Sequence, residues 1–220
     1  VLILHFTPST RSINFQLSIF NLVRMIAVVK YNAGNIRSVD YALKRLGVEA
    51  VITADKNEIM AADKVIFPGV GHAETTMNHL RETGLDQVIK NLRQPVFGIC
   101  VGMQLMCRHS EEGNADCIGI FDVDVKRFIP ENHSDKVPHM GWNTLLDTKS
   151  DLFNGFSREE FVYFVHSYYV PLNEYTIADT TYLLPFCDAM HQDNFYAGQF
   201  HPEKSGVVGK RILRNYLELR

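Results

Sequence analysis

The feature that most constrains the fold is a cysteine between two glycines, at the point where an apolar run ends. The string Gly98-Ile99-Cys100-Val101-Gly102 has the pattern G-x-C-x-G, and an apolar, helix-favouring segment follows it. A strand, a tight turn and a helix in this order form a nucleophile elbow, here with Cys in the place of Ser. Glycine suits such a turn because a Cβ would obstruct closely passing backbones. We expect Cys100 to stand at a helix N-terminus, where unpaired N–H groups favour a thiolate.

The elbow pattern has a simpler interpretation when it is taken alone. Short motifs occur by chance, and a buried structural cysteine beside two turn glycines would look the same. The functional interpretation therefore depends on whether other segments supply a base and an oxyanion site.

Composition excludes several classes of protein. At 220 residues, 46% of them hydrophobic, the chain is long enough for one sizeable core. A formal net charge of -3 gives no electrostatic reason to expect binding to nucleic acid or to an anionic membrane. No apolar run approaches the length of a membrane-spanning helix. The four cysteines lack C-x-x-C and zinc-like spacing, so we expect reduced thiols in a cytoplasmic protein with no metal and no cofactor.

The first 24 residues differ in composition from the rest. They contain no Asp or Glu, and the first methionine, Met25, directly precedes a strand-like run. An acid-poor segment weakly resembles a transit peptide, but we interpret 1–24 as an extension outside the fold. The prediction is a single domain over residues 25–220.

Strand-like and helix-like segments alternate from Met25 to the elbow. The predicted strands are 26–29, 48–52, 65–67 and 95–98, and the predicted helices are 38–46, 73–81 and 85–92. After the elbow the predicted strands are 121–128, 161–166, 181–184 and 196–200, with a closing helix over 207–219. The alternation predicts an α/β fold with a largely parallel central sheet flanked by helices. The second half predicts a β-rich region with mixed or antiparallel pairing.

A glycine-flanked loop is predicted after the third strand. It reads Pro68-Gly69-Val70-Gly71 and would lie beside the elbow, because reactive groups collect beyond the carboxyl ends of parallel strands. Its backbone N–H groups, together with that of Val101, could hold a developing oxyanion. An ordinary turn is the alternative for this loop.

A histidine with a carboxylate two residues later supplies the third element. Pro202 biases His201 toward an extended conformation, in which His201 and Glu203 would point to the same side. Glu203 could then fix the imidazole tautomer while the other ring nitrogen faces a thiol. A cysteine, an oxyanion loop and a histidine–carboxylate pair together satisfy the requirements of acyl transfer.

These three segments resemble the signatures of class I (triad) glutamine amidotransferases. Two further strings, Pro138-His139-Met140-Gly141-Trp142-Asn143 and Tyr163-Phe164-Val165-His166-Ser167-Tyr168, resemble the glutaminase subunits of imidazole glycerol phosphate synthase. Tyr31-Asn32-Ala33-Gly34-Asn35-Ile36 and Glu203-Lys204-Ser205 agree with that family. The resemblance runs from Met25 to the C-terminus. Val101 stands where the family commonly has Leu, a change that should leave the backbone donor intact.

The resemblance implies a glutaminase that supplies ammonia to a partner. Cys100 would attack the glutamine side-chain amide, with His201 as base and then acid and Glu203 as its orienting carboxylate. The implied oxyanion donors are Val70, Gly71 and Val101, and the implied substrate-binding residues are Gly69, Gln104, Ser167 and Tyr168. The implied partner-facing residues are Asn35, Met140, Trp142 and Lys204, although core packing is the alternative for Met140 and Trp142.

The implied partner is a (β/α)₈-barrel cyclase in a heterodimer. It would combine the ammonia with a phosphoribulosyl aminoimidazole-carboxamide nucleotide to give imidazole glycerol phosphate and an aminoimidazole carboxamide ribotide, in histidine biosynthesis. Three alternatives stay open at this point. A paralogous subunit could feed ammonia to another synthase, a cysteine hydrolase or peptidase could use a related scaffold, and a degenerate, non-catalytic scaffold protein would carry a broken triad.

Overall fold

The computed structural model describes residues 25–31, 35–133, 135–157 and 160–219. The predicted N-terminal extension and residues 32–34 of the predicted 31–35 turn lie outside these ranges. In chain order the elements are β1 (Ile26–Val29), α1 (Ile36–Lys44), β2 (Ala50–Thr53), α2 (Lys56–Ala61), β3 (Lys64–Gly69), α3 (Ala73–Thr83), α4 (Leu85–Lys90), β4 (Val96–Cys100), α5 (Val101–Met106), β5 (Cys107–Ser110), β6 (Ala115–Asp116), β7 (Phe121–Arg127), β8 (His139–Leu145), β9 (Glu160–His166), β10 (Tyr168–Tyr169), β11 (Thr176–Tyr182), β12 (Leu184–Gln192), β13 (Phe195–Gly198) and α6 (Gly206–Glu218). Short 3₁₀ helices occupy Asp151–Phe153 and Pro202–Lys204.

A seven-stranded sheet forms the centre, in the order β11-β12-β13-β4-β3-β1-β2. The five strands from β13 to β2 run parallel, and β12 and β11 pair antiparallel at one end. Strands β1, β3 and β4 are buried along their whole length, as expected when both faces of a parallel sheet are covered. The predicted fold class is therefore confirmed.

The carboxyl ends of three neighbouring strands meet at one edge of this sheet. Gly69 pairs with Cys100, and Gly198 pairs with Ile99. The residues that follow β3, β4 and β13 are thereby brought together although they are far apart in sequence. This edge is where an open parallel sheet holds its reactive groups.

Two smaller sheets account for the β-rich second half. One has four strands in the order β10-β7-β5-β6, and the other is the antiparallel pair of β8 and β9, called the β8–β9 ribbon below. The ribbon pairs His139 with His166 and Trp142 with Tyr163.

Two of the predicted segments before and after the elbow have a different secondary structure. The strand predicted over 181–184 spans a turn, because Leu183 has a φ of 55° and joins β11 to β12. A leucine in this conformation carries no turn signal, so its apolar neighbours suggested a continuous strand. The loop predicted over 68–71 is half strand, because Pro68 and Gly69 complete the ladder of β3 with β4. Elements α2, β5, β6, β8 and β10, and most of β11 and β12, carried too weak a pattern to be predicted.

The closing helix α6 is held against the sheet by a buried tyrosine. Tyr216 is fully buried, and its hydroxyl lies 2.8 Å from the carbonyl oxygens of both Val65 and Pro95, which share its single proton. Burial raises the pKa of this hydroxyl well above its usual range. The contact fixes α6 across the beginning of β3 and β4, so that their far ends stay in register at the site.

Candidate active site

Cys100 occupies the strained turn that the sequence predicts. Its backbone has φ 54° and ψ −110° between β4 and α5, a conformation that costs a non-glycine residue free energy and is typical of functional sites. The flanking glycines are required by close packing. A Cβ on Gly102 would lie 2.1 Å from the carbonyl oxygen of Phe67, and one on Gly98 would lie 2.8 Å from the sulfur of Met106.

A cavity of about 360 Å³ opens over the cysteine. The side chain of Cys100 is 3% exposed. The cavity brings together most of the predicted catalytic, oxyanion and substrate-binding residues: Val70, Gly71, Cys100, Val101, Gln104, Ser167, Tyr168 and His201. It is large enough for a small amino acid and sits at the predicted edge of the sheet.

His201 and Glu203 form a buried pair beside this cavity. The distance between Nδ1 of His201 and Oε1 of Glu203 is 2.8 Å, and their side chains are 1% and 0% exposed. His201 is extended as predicted, but Glu203 lies in the 3₁₀ helix Pro202–Lys204, so the expected extended path through Glu203 is wrong. Pro202 at the first helical position favours this turn, which still directs both side chains to each other.

The charges around His201 favour its protonated form. Burial lowers the pKa of His201, but Cys100 and Glu203 raise it more, to about 10. Nδ1 faces Glu203, and Nε2 makes no hydrogen bond of ordinary length within the described residues. The sulfur of Cys100 is therefore close enough to His201 to raise the pKa of its imidazole.

Asn35 joins this pair from the start of α1. Its Nδ2 donates a hydrogen bond to the same Glu203 oxygen that faces His201. The sequence predicts Asn35 as a partner-facing residue, whereas in the described structure it is half-buried and touches the carboxylate of the triad. A second donor on Oε1 holds that carboxylate in place.

The predicted oxyanion loop is shorter than expected. Gly69 is held in the β3 ladder, and a Cβ there would lie 2.2 Å from the backbone nitrogen of Gly102. Gly69 therefore serves close backbone packing, and its substrate-binding role stays a prediction. Val70 and Gly71 lie beyond the strand, and Gly71 has a φ of 120°, which only glycine adopts readily.

Two buried glutamines lie between β10 and Cys100. Nε2 of Gln104 donates to the carbonyl oxygen of Tyr168 at 3.1 Å and to Oε1 of Gln199 at 2.8 Å. Nε2 of Gln199 in turn donates to Sγ of Cys100 at 3.7 Å. The sequence did not identify Gln199 as a site residue. The only feature that could have indicated it is its position two residues before His201.

The β8–β9 ribbon also contains a histidine pair that the sequence did not indicate. Nδ1 of His139 lies 3.0 Å from Nε2 of His166, whose Nδ1 lies 2.7 Å from the carbonyl oxygen of Tyr168. Because that carbonyl only accepts, Nδ1 of His166 carries a proton and its Nε2 accepts from His139. Burial lowers the pKa of His139 to about 4 and that of His166 to about 3. Both rings are therefore neutral at pH 7.

The outer face of the β8–β9 ribbon is apolar and exposed. Met140 is 63% exposed and Trp142 is 56% exposed, so core packing is the wrong alternative for both. The Trp142 ring meets that of Tyr163 edge-on with centroids 5.9 Å apart, and the ammonium group of Lys204 lies 5.8 Å from the Tyr163 ring centroid. Phe161, also exposed, extends the same face. Exposed aromatic and apolar side chains in one patch are typical of a protein interface.

Comparison with known proteins assigns the family. The family profile "Glutamine amidotransferase class-I" matches residues 27–219. The chain is 74% identical over 194 residues to "Imidazole glycerol phosphate synthase subunit HisH" of Bacteroides thetaiotaomicron. The aligned region covers 88% of this chain and 99% of that protein. The chain belongs to the class-I glutamine amidotransferase family. The HisH protein of Escherichia coli K12 is 42% identical over 196 residues, again covering 88% of this chain and 99% of the relative.

Solved structures agree with this family at the level of the fold. A crystal structure of a glutamine amidotransferase superposes with a TM-score of 0.65 at 22% identity, covering 87% of this chain and 97% of that one. PurLQS from Thermotoga maritima gives a TM-score of 0.64 at 17% identity, covering 89% of this chain and 98% of that one. At these identities the similarity concerns the fold alone.

Family membership makes this chain an enzyme of the glutamine amidotransferase class. The elbow, the His201–Glu203 pair and the cavity over Cys100 are the parts that such chemistry requires. No helix within the described ranges is long and apolar enough to cross a membrane.

Proposed function

We propose that this chain is the glutaminase subunit of an imidazole glycerol phosphate synthase, working in the cytoplasm. It hydrolyses glutamine to glutamate and ammonia, and the ammonia serves histidine biosynthesis. The observation that carries the proposal is a cysteine on a strained elbow, facing a cavity that it shares with a histidine held by a buried carboxylate. The names of relatives at 74%, 73% and 42% identity support the choice of this synthase over a paralogous one.

The reaction begins with the thiolate of Cys100. It attacks the γ-carbonyl carbon of glutamine, and the carbonyl oxygen takes up negative charge facing the backbone N–H of Val101 and the Val70–Gly71 segment. His201 gives its proton to the departing nitrogen, and ammonia leaves. A γ-glutamyl thioester on Cys100 is the result.

Water completes the cycle. His201, now neutral, takes a proton from water as that water attacks the thioester carbon. The thiolate leaves, glutamate is released, and the imidazolium is restored. Glu203, with Asn35 bonded to it, keeps the ring oriented with Nδ1 protonated through both steps.

Substrate recognition falls to the residues at the mouth of the cavity. Ser167 and Tyr168 line it, together with Gln104, whose amide nitrogen is already bonded to two acceptors. We assign these three residues to the α-amino and α-carboxylate groups of glutamine. Tyr168 also receives hydrogen bonds on its carbonyl oxygen from Gln104 and His166, which fix this short strand in place.

The ammonia passes to a (β/α)₈-barrel cyclase bound to the β8–β9 ribbon. Ammonia released into water is protonated and loses its nucleophilicity, so the transfer requires a covered path. Met140 and Trp142 lie on the ribbon's outer face, and Lys204 extends from the 3₁₀ helix Pro202–Lys204 to Tyr163 on the same face, so we assign these three residues to the partner contact. Asn35, which is half-buried and bonded to Glu203, is the fourth residue that we assign to the partner-facing side. The partner converts its nucleotide substrate to imidazole glycerol phosphate and an aminoimidazole carboxamide ribotide.

A Cys100→Ala variant separates the two half-reactions. The substitution removes the nucleophile but should leave the fold and the partner surface intact, because it deletes a single small side chain. With the cyclase bound, the variant should make no product from glutamine. It should still make imidazole glycerol phosphate from ammonium salts at high pH, at a rate within about two-fold of the native complex.

Cys187→Ala is the matched control, because Cys187 is also buried but lies on β12. It should retain both activities. Glutamine-dependent product from Cys100→Ala would remove Cys100 from the nucleophile role. Loss of the ammonia-dependent reaction in an assembled Cys100→Ala complex would place this cysteine in the cyclase step instead.

A further inference from the structure

We propose that Gln199 is a positioning residue for the nucleophile, and that its side-chain amide donates a hydrogen bond that holds the Cys100 sulfur as an aligned thiolate. This inference rests on the proposed glutaminase function and adds a residue to its site.

The contact depends on strand register. Gly198, the last residue of β13, pairs with Ile99 of β4, so the residues that follow them are neighbours at the carboxyl edge of the sheet. Gln199 is fully buried there, and its Nε2 lies 3.7 Å from Sγ of Cys100. A thiolate accepts hydrogen bonds more strongly than a thiol, because the bond is then charge-assisted.

The direction of this hydrogen bond follows from the neighbouring groups. The carbonyl oxygen of Tyr168 can only accept, so the Gln104 atom that faces it at 3.1 Å is Nε2. The same nitrogen faces the Gln199 amide at 2.8 Å, where it must donate to an oxygen. The other end of that amide, Nε2 of Gln199, is therefore the atom directed at the sulfur. Gln199 therefore presents its donor, and not its acceptor oxygen, to the sulfur, which also lies 3.9 Å from the carbonyl oxygen of Val165.

Burial and hydrogen bonds leave the Gln199 side chain little movement. Its backbone N–H donates to the carbonyl oxygen of Asp188 at 2.7 Å. The residue is fully buried, and its Oε1 accepts a hydrogen bond from Nε2 of Gln104 at 2.8 Å. The amide is thus held before substrate arrives, which is what stabilisation without reorganisation requires.

A fixed donor at the sulfur helps at two moments of the cycle. It stabilises the thiolate before the attack on glutamine. It stabilises the thiolate again when water has attacked the thioester carbon, the carbon–sulfur bond breaks and the electron pair returns to sulfur. His201 lies near the same sulfur as a mobile proton carrier, whereas the amide of Gln199 cannot give up its proton. The two groups therefore have separate tasks.

The test measures the Cys100 thiolate directly. The chain is treated with iodoacetamide between pH 5 and 10, and alkylation of the Cys100 peptide is followed by mass spectrometry. Gln199→Met removes the donor at similar side-chain length, and Gln199→Asn keeps an amide but withdraws it from the sulfur. A charge-assisted hydrogen bond of typical strength corresponds to a shift of about one to two pH units. We expect the midpoint of Cys100 alkylation to rise by about one unit in both variants.

Gln192→Met is the matched control, because Gln192 is a partly buried glutamine on β12 with its Oε1 unbonded within the described structure. It should leave the midpoint unchanged. An unchanged midpoint in Gln199→Asn and Gln199→Met, with melting temperatures near that of the native chain, would overturn the proposal. If one variant fails to fold, the other decides.

Turnover of glutamine by the native complex is measured in parallel and reports on the proposed function alone. A native complex that forms no glutamate would remove the glutaminase function, whereas the alkylation midpoints would still decide whether Gln199 acts on the sulfur. With a functional native complex, we expect kcat/KM for glutamine at pH 7 to fall at least ten-fold in Gln199→Met and to recover in part at higher pH. A purely structural role would lower activity equally at every pH.

Discussion

At the scale of single residues, charge and hydrogen-bond direction decide the chemistry. Burial by itself lowers the pKa of His201, and the nearby sulfur and Glu203 reverse that effect. Asn35 adds a donor to the same carboxylate from a position 168 residues away. The electrostatic surroundings of His201 are therefore formed by three different segments, which supply Cys100, Glu203 and Asn35.

Glu203→Gln should lower glutamine turnover far less than His201→Ala. The glutamine side chain can still hold the ring at Nδ1, although it no longer supplies charge, whereas alanine removes the proton carrier. General acid–base catalysis contributes roughly 10²- to 10⁴-fold, so we expect His201→Ala to lose about that factor and Glu203→Gln about ten-fold. Glutamate release by the assembled complex measures both.

Glu160→Gln is the control for this pair, because Glu160 is a half-buried carboxylate that pairs with Arg211 at 2.7 Å, on the ribbon but outside the triad. It should leave turnover within about two-fold. Equal and complete losses in Glu203→Gln and His201→Ala would contradict the division of roles between them.

At the scale of elements, the β8–β9 ribbon connects its own exposed apolar face to β10, the short strand that contains Tyr168. Met140 and Trp142 point outward, whereas His139, at the start of β8, is buried. The His139–His166 pair then leads to the carbonyl oxygen of Tyr168, which Gln104 also contacts. These hydrogen bonds connect the ribbon, whose outer face is exposed, to the lining of the cavity.

The histidine pair should make the fold sensitive to mild acid. The pKa of His166 is lowered by burial from 6.5 to about 3. Between these values the unfolded chain binds a proton that the folded chain does not, so the free energy of unfolding falls as pH falls through this window. One such group contributes a slope of up to about 1.4 kcal/mol per pH unit.

Denaturant unfolding of the native chain and of His166→Asn, at several pH values from 7 to 4, measures this slope. Asparagine keeps a donor for Tyr168 but does not titrate, so the pH dependence should weaken in the variant. His133→Asn, at an exposed position, should leave it unchanged. Identical slopes in the native chain and His166→Asn would show that His166 is not the buried neutral group inferred here.

At the scale of the whole molecule, one core runs from β1 to α6. The central sheet joins the first described strand to the last, since β13 pairs with β4 and β1 lies two strands beyond β4. The side-chain ammonium group of Lys64, at the start of β3, donates to the carbonyl oxygen of Leu219 at 2.5 Å. Sequence similarity to the HisH proteins spans 194 residues of this chain. We propose that the domain is residues 25–220.

A shortened chain that starts at Met25 should therefore fold and act like the full chain. We expect its melting temperature to agree within about 2 °C, because a loss of 1 kcal/mol would shift a domain of this size by about 2–4 °C. Glutamine turnover in the complex should also be unchanged. A chain that starts at Ile36 and lacks the central strand β1 is the contrasting control and should not fold. A clearly lower melting temperature for the Met25 chain would assign residues 1–24 to the fold.

The sequence by itself determined those parts of the protein that depend on neighbours along the chain. Strand-like and helix-like patterns of apolar residues alternate along the chain, and they predicted the parallel sheet and its helices, because each strand or helix must bury one face of its own. The glycines around Cys100 predicted the elbow, since the strain of that turn is local. His201 and Glu203 were found because they are two residues apart, although the local turn that joins them was not predicted.

Only the tertiary structure decided the contacts that depend on strand register. Gln199 and Cys100 are 99 residues apart, and they meet because β13 pairs with β4 one residue before each of them. A shift of that register by one residue would turn the Gln199 side chain to the other face of the sheet. Asn35 at Glu203, and His139 at His166, likewise depend on how distant segments pair and pack. Such contacts leave no local pattern in sequence, because the free energy that selects them comes from burying the whole core at once.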